Sequence, residues 1–426
     1  MKKIEVTPGM FSLIEAKPTL KTPLVMLGTA LLILISFSWF GKSGDVKYVW
    51  STKTDLIYVP DFSVNSKLLC LILGIVCLVL GLVSLYLRRL QKRTSIWLVI
   101  IFGFAALMAL LGWLAAGSTT GVLVYYILSS SVVFAIPLIL GGMAGIMSER
   151  VGVVNIAIEG QLLTGAFVSS VVGTITHNLY VGMLSAMVAA ALLSMILAAL
   201  AIKYLVDQII IGVLLNVLVI GVTNFLYSAW IDNDELNLNT PNTFNAISIP
   251  VLSKIPIIGQ VFFDTRITVY LMMVIVPVLW FVLFKTKLGL RARSVGEHPL
   301  AADTVGINVA RTRFWWVTLG GMVAGLGGAA LAIGNVGSFG KEMSGGQGFI
   351  ALAVVILGRW QPIYVTMGAL LFGFTMVLRV WANQVSPGFP TDLITMAPYL
   401  VTLIAVAGFA GRVRAPAADG QPYEKG

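Results

Sequence analysis

Apolar runs about as long as a lipid hydrocarbon core is thick recur along this chain. They lie near residues 24–40, 68–87, 96–116, 124–147, 180–202, 208–230, 265–284, 314–335, 361–381 and 392–410. About 20 apolar residues in a helix cross such a core, and within it only helices or closed barrels satisfy their own backbone groups. Two further stretches, 151–175 and 347–358, are apolar but interrupted or short, and they read as broken or half-crossing helices. The pattern predicts an all-α polytopic membrane protein with roughly 10–12 transmembrane helices. The first run follows 23 mixed residues and lacks a small-residue cleavage site, so it reads as an anchor and not as a removable signal.

Charge is scarce, and its placement is informative. Only 11% of the residues are charged, against roughly a quarter in an ordinary globular domain, and no soluble catalytic domain fits between the spans. The 28 Lys and Arg against 18 Asp and Glu leave a net charge of +10. If the spans alternate, most of the basic residues fall on one side: Lys2, Lys3, Lys17, Lys21, Arg88, Arg89, Lys92, Arg93, Arg150, Lys203, Lys285, Lys287, Arg291, Arg293, Arg311, Arg313, Arg359, Arg412, Arg414 and Lys425. Basic residues are retained in the cytoplasm. The expectation is a multi-pass protein of the cytoplasmic (plasma) membrane with both termini inside, and the positive balance is topology, not a nucleic-acid footprint. Cys70 and Cys77 lie seven residues apart in one run, about 10 Å along a helix axis and too far for a bridge within it. With His177 and His298 the only imidazoles, neither a disulfide framework nor a Cys or His metal cluster is expected. No paired carboxylates or nucleophile–base pair stands out, so the chain reads as having no catalytic residue and no cofactor of its own.

Two places break a span with glycine beside polar residues. In 141–161, GGMAGIMSERVGVVNIAIEGQ, an apolar run meets Glu149 and Arg150, then Asn155 and Glu159, then resumes. In 334–348, GNVGSFGKEMSGGQG, a span ends in glycine-rich chain carrying Phe339, Lys341, Glu342 and Gln347. Unwound backbone at membrane depth is tolerated only where protein or water satisfies it, and helix ends exposed there offer N–H and C=O groups to a solute. One interruption per half is the pattern of a transporter built from two related halves, with broken helices near the membrane centre. An ionisable Glu159 among apolar neighbours has to face a cavity or a partner.

The substrate-path candidates are Asn155, Glu159, Asn216, Gln347 and Phe339. Asn216 and Asn224, eight apart on one face of the span 208–230, also suit helix-to-helix hydrogen bonding. Phe134, Phe339, Phe349 and Trp360 lie near the interruptions and suit either core packing or stacking on a planar solute. Trp97, Trp113, Trp315 and Trp316 read as interfacial anchors, and Gly141/Gly145 and Gly321/Gly325 as points of close helix approach. The pentapeptide Met343–Gln347, MSGGQ, has the wording of an ATP-binding cassette ATPase signature. It lacks a phosphate loop to face, because Gly334–Lys341 has the wrong spacing and Glu342 stands where Ser or Thr holds magnesium.

The segment 285–313 is the longest stretch between spans on the basic side. Pro299 suits the first turn of a short helix, Leu300 to Val305 continue it, and Gly306 is placed to stop it. Such a helix suits docking into a groove on a soluble partner. Leu300-Ala301-Ala302 followed by Gly306 resembles the "Glu-Ala-Ala, three residues, Gly" loop of ABC importer permeases, with Leu in place of Glu. GGMAGIMSERVGVVNIAIEGQLLTGAF, GLRARSVGEHPLAADTVGIN and residues 337–358 together look like the nucleoside and simple-sugar branch of those permeases, within the ribose and branched-chain amino-acid permease group. The likeness covers residues 120–410.

This resemblance implies a permease subunit that forms a path for nucleosides, with a monosaccharide such as ribose as the other substrate class. It implies an ABC ATPase partner that holds Mg-ATP and docks on Gly296, Glu297, Pro299, Ala301, Ala302 and Gly306. A second permease, often a related paralogue, and an extracytoplasmic substrate-binding lipoprotein complete the implied assembly. An ion-coupled secondary transporter also fits the broken spans, but leaves the 289–313 loop without a purpose. The expected organisation is an N-terminal extension with two spans over 1–95, a permease core over 96–411 and a cytoplasmic tail over 412–426.

Overall fold

The computed structural model describes residues 20–52, 55–387, 389–399 and 415–424. Lys2, Lys3, Lys17, most of the expected span 392–410, and Arg412, Arg414 and Lys425 lie outside the described residues. Among the described residues ten helices are long and apolar enough to cross a membrane, which makes this an all-α polytopic membrane protein. The chain divides into two compact units. The first runs to Leu123 without Trp50–Val59, and the second takes that segment and Val124 onwards, apart from Gln384–Gly388.

The first unit is built on α1 (Lys21–Leu32), α2 (Ser66–Arg89) and α3 (Ile96–Leu114). Along α2, Ser66, Cys70, Gly74, Cys77, Gly81 and Ser84 are buried. Small residues at three- and four-residue spacing let neighbouring helices approach closely, and α1 and α3 pack on α2. The Ser66 hydroxyl donates to the Gly112 carbonyl at 2.9 Å and the Cys70 thiol to that of Ala109 at 3.4 Å. The chain between α1 and α2 contains β1 (Asp45–Val49) and β2 (Phe62–Asn65), paired antiparallel, with β3 (Val122–Leu123) parallel to β1. The first compact unit ends at Leu123 and holds three of the candidate spans. Hydropathy reports how apolar a helix is, not which neighbours its faces fit.

The second unit carries α4 (Val124–Glu149), α5 (Ile158–Ile175), α6 (Leu179–Ala198), α7 (Gln208–Leu226), the short α8 (Glu235–Leu238) and α9 (Ile267–Lys285). They are followed by α10 (Lys287–Glu297), α11 (Pro299–Thr304), α12 (Val309–Leu331), α13 (Gln347–Leu357) and α14 (Pro362–Val385). Helix α12 lies at the centre, packed against α4, α5 and α6. Its small residues permit this: a side chain at Gly325 would strike the Ala186 carbonyl of α6. A π-type turn, Ala332–Val336, widens its end. One core cluster joins Leu138, Ile139, Met143, Val269, Leu326, Val365 and Phe372. A second joins Leu163, Phe167, Leu197, Val219, Val295 and Val309.

Candidate functional site

Both interruptions read from the sequence are breaks in helix, and the first is more than a turn. Beyond Glu149, the Val154 N–H donates to the Gln208 side-chain oxygen at 2.8 Å, at the first residue of α7. Further on, the Asn216 side chain accepts the Gly160 N–H at 2.8 Å and donates to the Ile156 carbonyl at 2.9 Å. Gln208 and Asn216 are eight residues apart on α7, roughly 12 Å at the helical rise. The connector 150–157 thus runs alongside α7 before α5 begins, and Asn216 satisfies backbone groups that the break leaves without helical partners. Asn155 is buried in a reciprocal amide pair with Gln161, 3.2 Å in each direction. Neither residue is among those lining the cavity described below.

Glu159, near the start of α5, reaches the second break. Its Oε1 accepts from the Ser344 hydroxyl at 2.6 Å and the Gly346 N–H at 2.8 Å, and its Oε2 accepts from the Gly348 N–H at 2.6 Å. Gly346 is the N-cap of α13. The carboxylate therefore occupies the positive end of that helix and takes N–H groups with no partner inside it. A side chain at Gly348 would collide with the Glu159 backbone, so the close approach requires glycine. Ser344 belongs to the MSGGQ segment, whose role here is to hold Glu159.

The far end of α13 is tied to the residues that open the first break. Glu149 accepts from the Trp360 indole N–H, and the Arg150 guanidinium donates to the Trp360 carbonyl at 2.9 Å. Both residues grip the chain just past α13, which is thus anchored at each end to one side of the connector.

A cavity of about 330 Å³ opens between α4, α12 and the chain leading into α13. Val133, Phe134 and Pro137 form one wall and Ala330 and Leu331 another, while Asn335, Ser338, Met343 and Gln347 come from the second break. Its size lies at the low end of small-molecule pockets, about 300–1,000 Å³, and apolar walls with a few polar groups are typical of them. The Gln347 side-chain oxygen is buried without a hydrogen-bond partner among the described residues, and a donor on a solute would satisfy it. Of the five path candidates, Gln347 is the one this cavity presents. Phe339 is buried edge-on to Phe167, ring centroids 5.2 Å apart. It is held by Asn239, which donates to the Phe339 carbonyl at 2.9 Å and accepts its N–H at 2.7 Å. Nothing in the local sequence marks Asn239, because a clamping Asn and a solvated one look alike there.

Helix α11 forms where the 285–313 segment predicts it. His298 Nδ1 accepts the Ala301 N–H at 3.3 Å, Pro299 opens the helix, and Gly306 follows it at φ 85°. Leu300 and Val305 are 59% and 75% exposed, and Ala301, Thr304 and Gly306 are exposed with them. Ala302, expected on the docking face, is 2% exposed and packs inward. Gly296 is buried against the Arg150 carbonyl, and the Glu297 carboxylate accepts the Ala417 N–H at 3.4 Å. At 3.6 residues per turn, Ala302 and Leu300 point to different sides. The outward face is therefore Leu300, Ala301, Thr304 and Val305. Arg313, placed among the topological charges, is buried, and its Nε donates to the Val151 carbonyl at 3.0 Å.

Residues 126–407 match the family described as branched-chain amino acid transport system / permease component. The guanosine ABC transporter permease protein NupQ of Bacillus subtilis is 42% identical over 315 residues, covering 70% of this chain and 97% of the relative. The nucleoside ABC transporter permease protein NupC of Lactococcus lactis is 39% identical over 309 residues, covering 70% and 96%. A second Bacillus subtilis protein, the guanosine ABC transporter permease protein NupP, is 23% identical over 282 residues, covering 65% and 80%. No solved structure matches. The family match starts at the head of α4 and takes in both breaks, the cavity and the α10–α11 loop, and by it the chain belongs to this family of transport-system permease components.

Proposed function

We propose that the chain is the permease subunit of an ABC importer and forms the passage for nucleosides. The observation that carries the substrate class is its similarity, over nearly the whole length of the relatives, to permeases named for guanosine and nucleosides. The cavity supports it. Phe134 offers an aromatic wall to a planar base, and Gln347 offers a donor and an unsatisfied acceptor to its edge or to ribose hydroxyls.

In this reading a partner ATPase binds Mg-ATP and docks on the exposed face of α11. An extracytoplasmic lipoprotein delivers the nucleoside. A related but different permease completes the passage, a plan supported by similarity to two guanosine permease proteins of one organism. In this reading the basic loop around α10 and α11 faces the cytoplasm, where such residues are retained, and both termini lie on the same side. ATP can drive the cycle only by favouring one arrangement of the permease over another. Contacts run from α10 through the connector to Glu159 and α13, a physical route for such a bias.

The test is transport in proteoliposomes that contain the chain with its ATPase and second permease. Guanosine should accumulate with ATP and fail to accumulate with a hydrolysis-deficient ATPase. Accumulation by the chain alone under an ion gradient would overturn the reading in favour of a secondary transporter.

A further inference from the structure

Residues 415–424 are tied to α10, α12 and the connector. The Ala418 N–H donates to the Gly296 carbonyl at the end of α10, 2.9 Å. The Ala417 N–H donates to the Glu297 carboxylate. Arg313 bridges two segments at once: Nη1 donates to the Gln421 carbonyl at 2.9 Å while Nε holds Val151 in the connector. Pro416 and Ala418 are buried, and Tyr423 packs on the core cluster that includes Ala302. At Gly152, φ 82°, a side chain would lie 2.8 Å from Arg313 Nη2 and 2.9 Å from the Ala418 carbonyl. Connector, α10 and C-terminal segment thus meet closely enough that neither Gly152 nor Gly296 has room for a side chain.

A push on α11 reaches Glu159 through the connector only if α10 and the connector move together. A loop held at one point can pivot; a loop crossed by a second tie cannot. We propose that residues 416–423 are a positioning strap for transport, locking the α10–α11 loop to the connector so that movement of the docking helix is delivered to α5. The strap acts through Arg313 and touches no cargo, and the proposal rests on the importer reading above.

The experiment uses the full complex, comparing wild type with a chain ending at Arg414 and with Ala418→Pro, which removes the N–H that binds Gly296. Uptake and ATP hydrolysis are measured on the same proteoliposomes. Guanosine moved per ATP should fall at least tenfold while hydrolysis continues, and Ala418→Ser, which keeps the N–H, should restore the ratio. An unchanged ratio, whether both activities persist or both fall together, would overturn the strap. If the intact complex moves no guanosine, the nucleoside reading fails, and the strap is then judged by hydrogen exchange. Connector amides 150–157 should exchange at least tenfold faster in Ala418→Pro, and unaltered exchange would overturn it.

Discussion

Glu159 on α5 and Gly348 on α13 are joined by a 2.6 Å hydrogen bond from backbone amide to carboxylate, and with it two broken spans share one joint. Ser344 and Gly346 complete the carboxylate's set of donors. Hydrogen bonds to a charged group contribute about 1.5–3 kcal/mol each, and a buried N–H left unpaired costs about 1–3 kcal/mol. Glu159→Ala should therefore destabilise the protein by roughly 3 kcal/mol or more. Glu159→Gln, which keeps one acceptor, should cost less. Thermal unfolding of the purified protein in detergent checks both, and an unshifted midpoint in Glu159→Ala would remove the joint.

Gln347 and Phe134 should affect cargo without affecting assembly. Loss of one hydrogen bond to a neutral solute is worth about 0.5–1.5 kcal/mol. Gln347→Ala should thus raise the half-saturating guanosine concentration about three- to tenfold. Phe134→Ala should act in the same direction through loss of stacking. Basal ATP hydrolysis by the complex should remain within twofold of wild type, and transport kinetics alongside hydrolysis measure the split.

The two sides of α11 should respond differently. Leu300→Glu and Val305→Asp place charge on the outward face, so the chain should fold and insert while failing to co-purify the ATPase. Ala302→Glu puts a charge into packed surroundings, where an unpaired buried charge costs several kcal/mol, and it should reduce the yield of folded chain itself. Size-exclusion profiles with and without the ATPase separate the outcomes. Normal ATPase capture by Val305→Asp would exclude this face as the docking surface.

Attachment of the C-terminal segment should depend on pH through Asp419. Burial pushes its carboxyl up to about 7, against the opposing pull of Arg313 on α12 and the Gly420 N–H. Glu149 of α4 is the like charge facing it, and Glu297 of α10 binds the neighbouring Ala417. In water the carboxyl returns to near 4, so the docked segment holds a proton more tightly than the free one. Docking is therefore strongest below about pH 4 and weakens as pH rises through about 7. A nitroxide label at Glu424→Cys should gain mobility between about pH 5 and about pH 8. Asp419→Asn, neutral throughout, should abolish that change.

Much of this was legible in the residue string because membranes simplify folding. Lengths of apolar chain predict the spans, and glycine beside Glu159 and beside Gln347 marks the two breaks. Pro299 and Gly306 bound α11 by their backbone chemistry alone. Other residues carry no local mark. Asn216 looks like any polar residue on a helix, yet it closes the first break; Arg313 looks like a solvated charge, yet it is buried between two segments.

The string by itself determined the class of protein, the places where helices stop and the residue types able to cap or line a break, since those depend on hydrophobic length and local backbone freedom. The tertiary structure decided which groups meet. Glu159 finds its partner at the start of α13, α3 packs with α2, and Ala302 faces inward while Leu300 faces out. Each of these outcomes depends on which surface packs on which across long separations in sequence. Hydropathy and spacing describe one segment at a time and contain no term for that pairing.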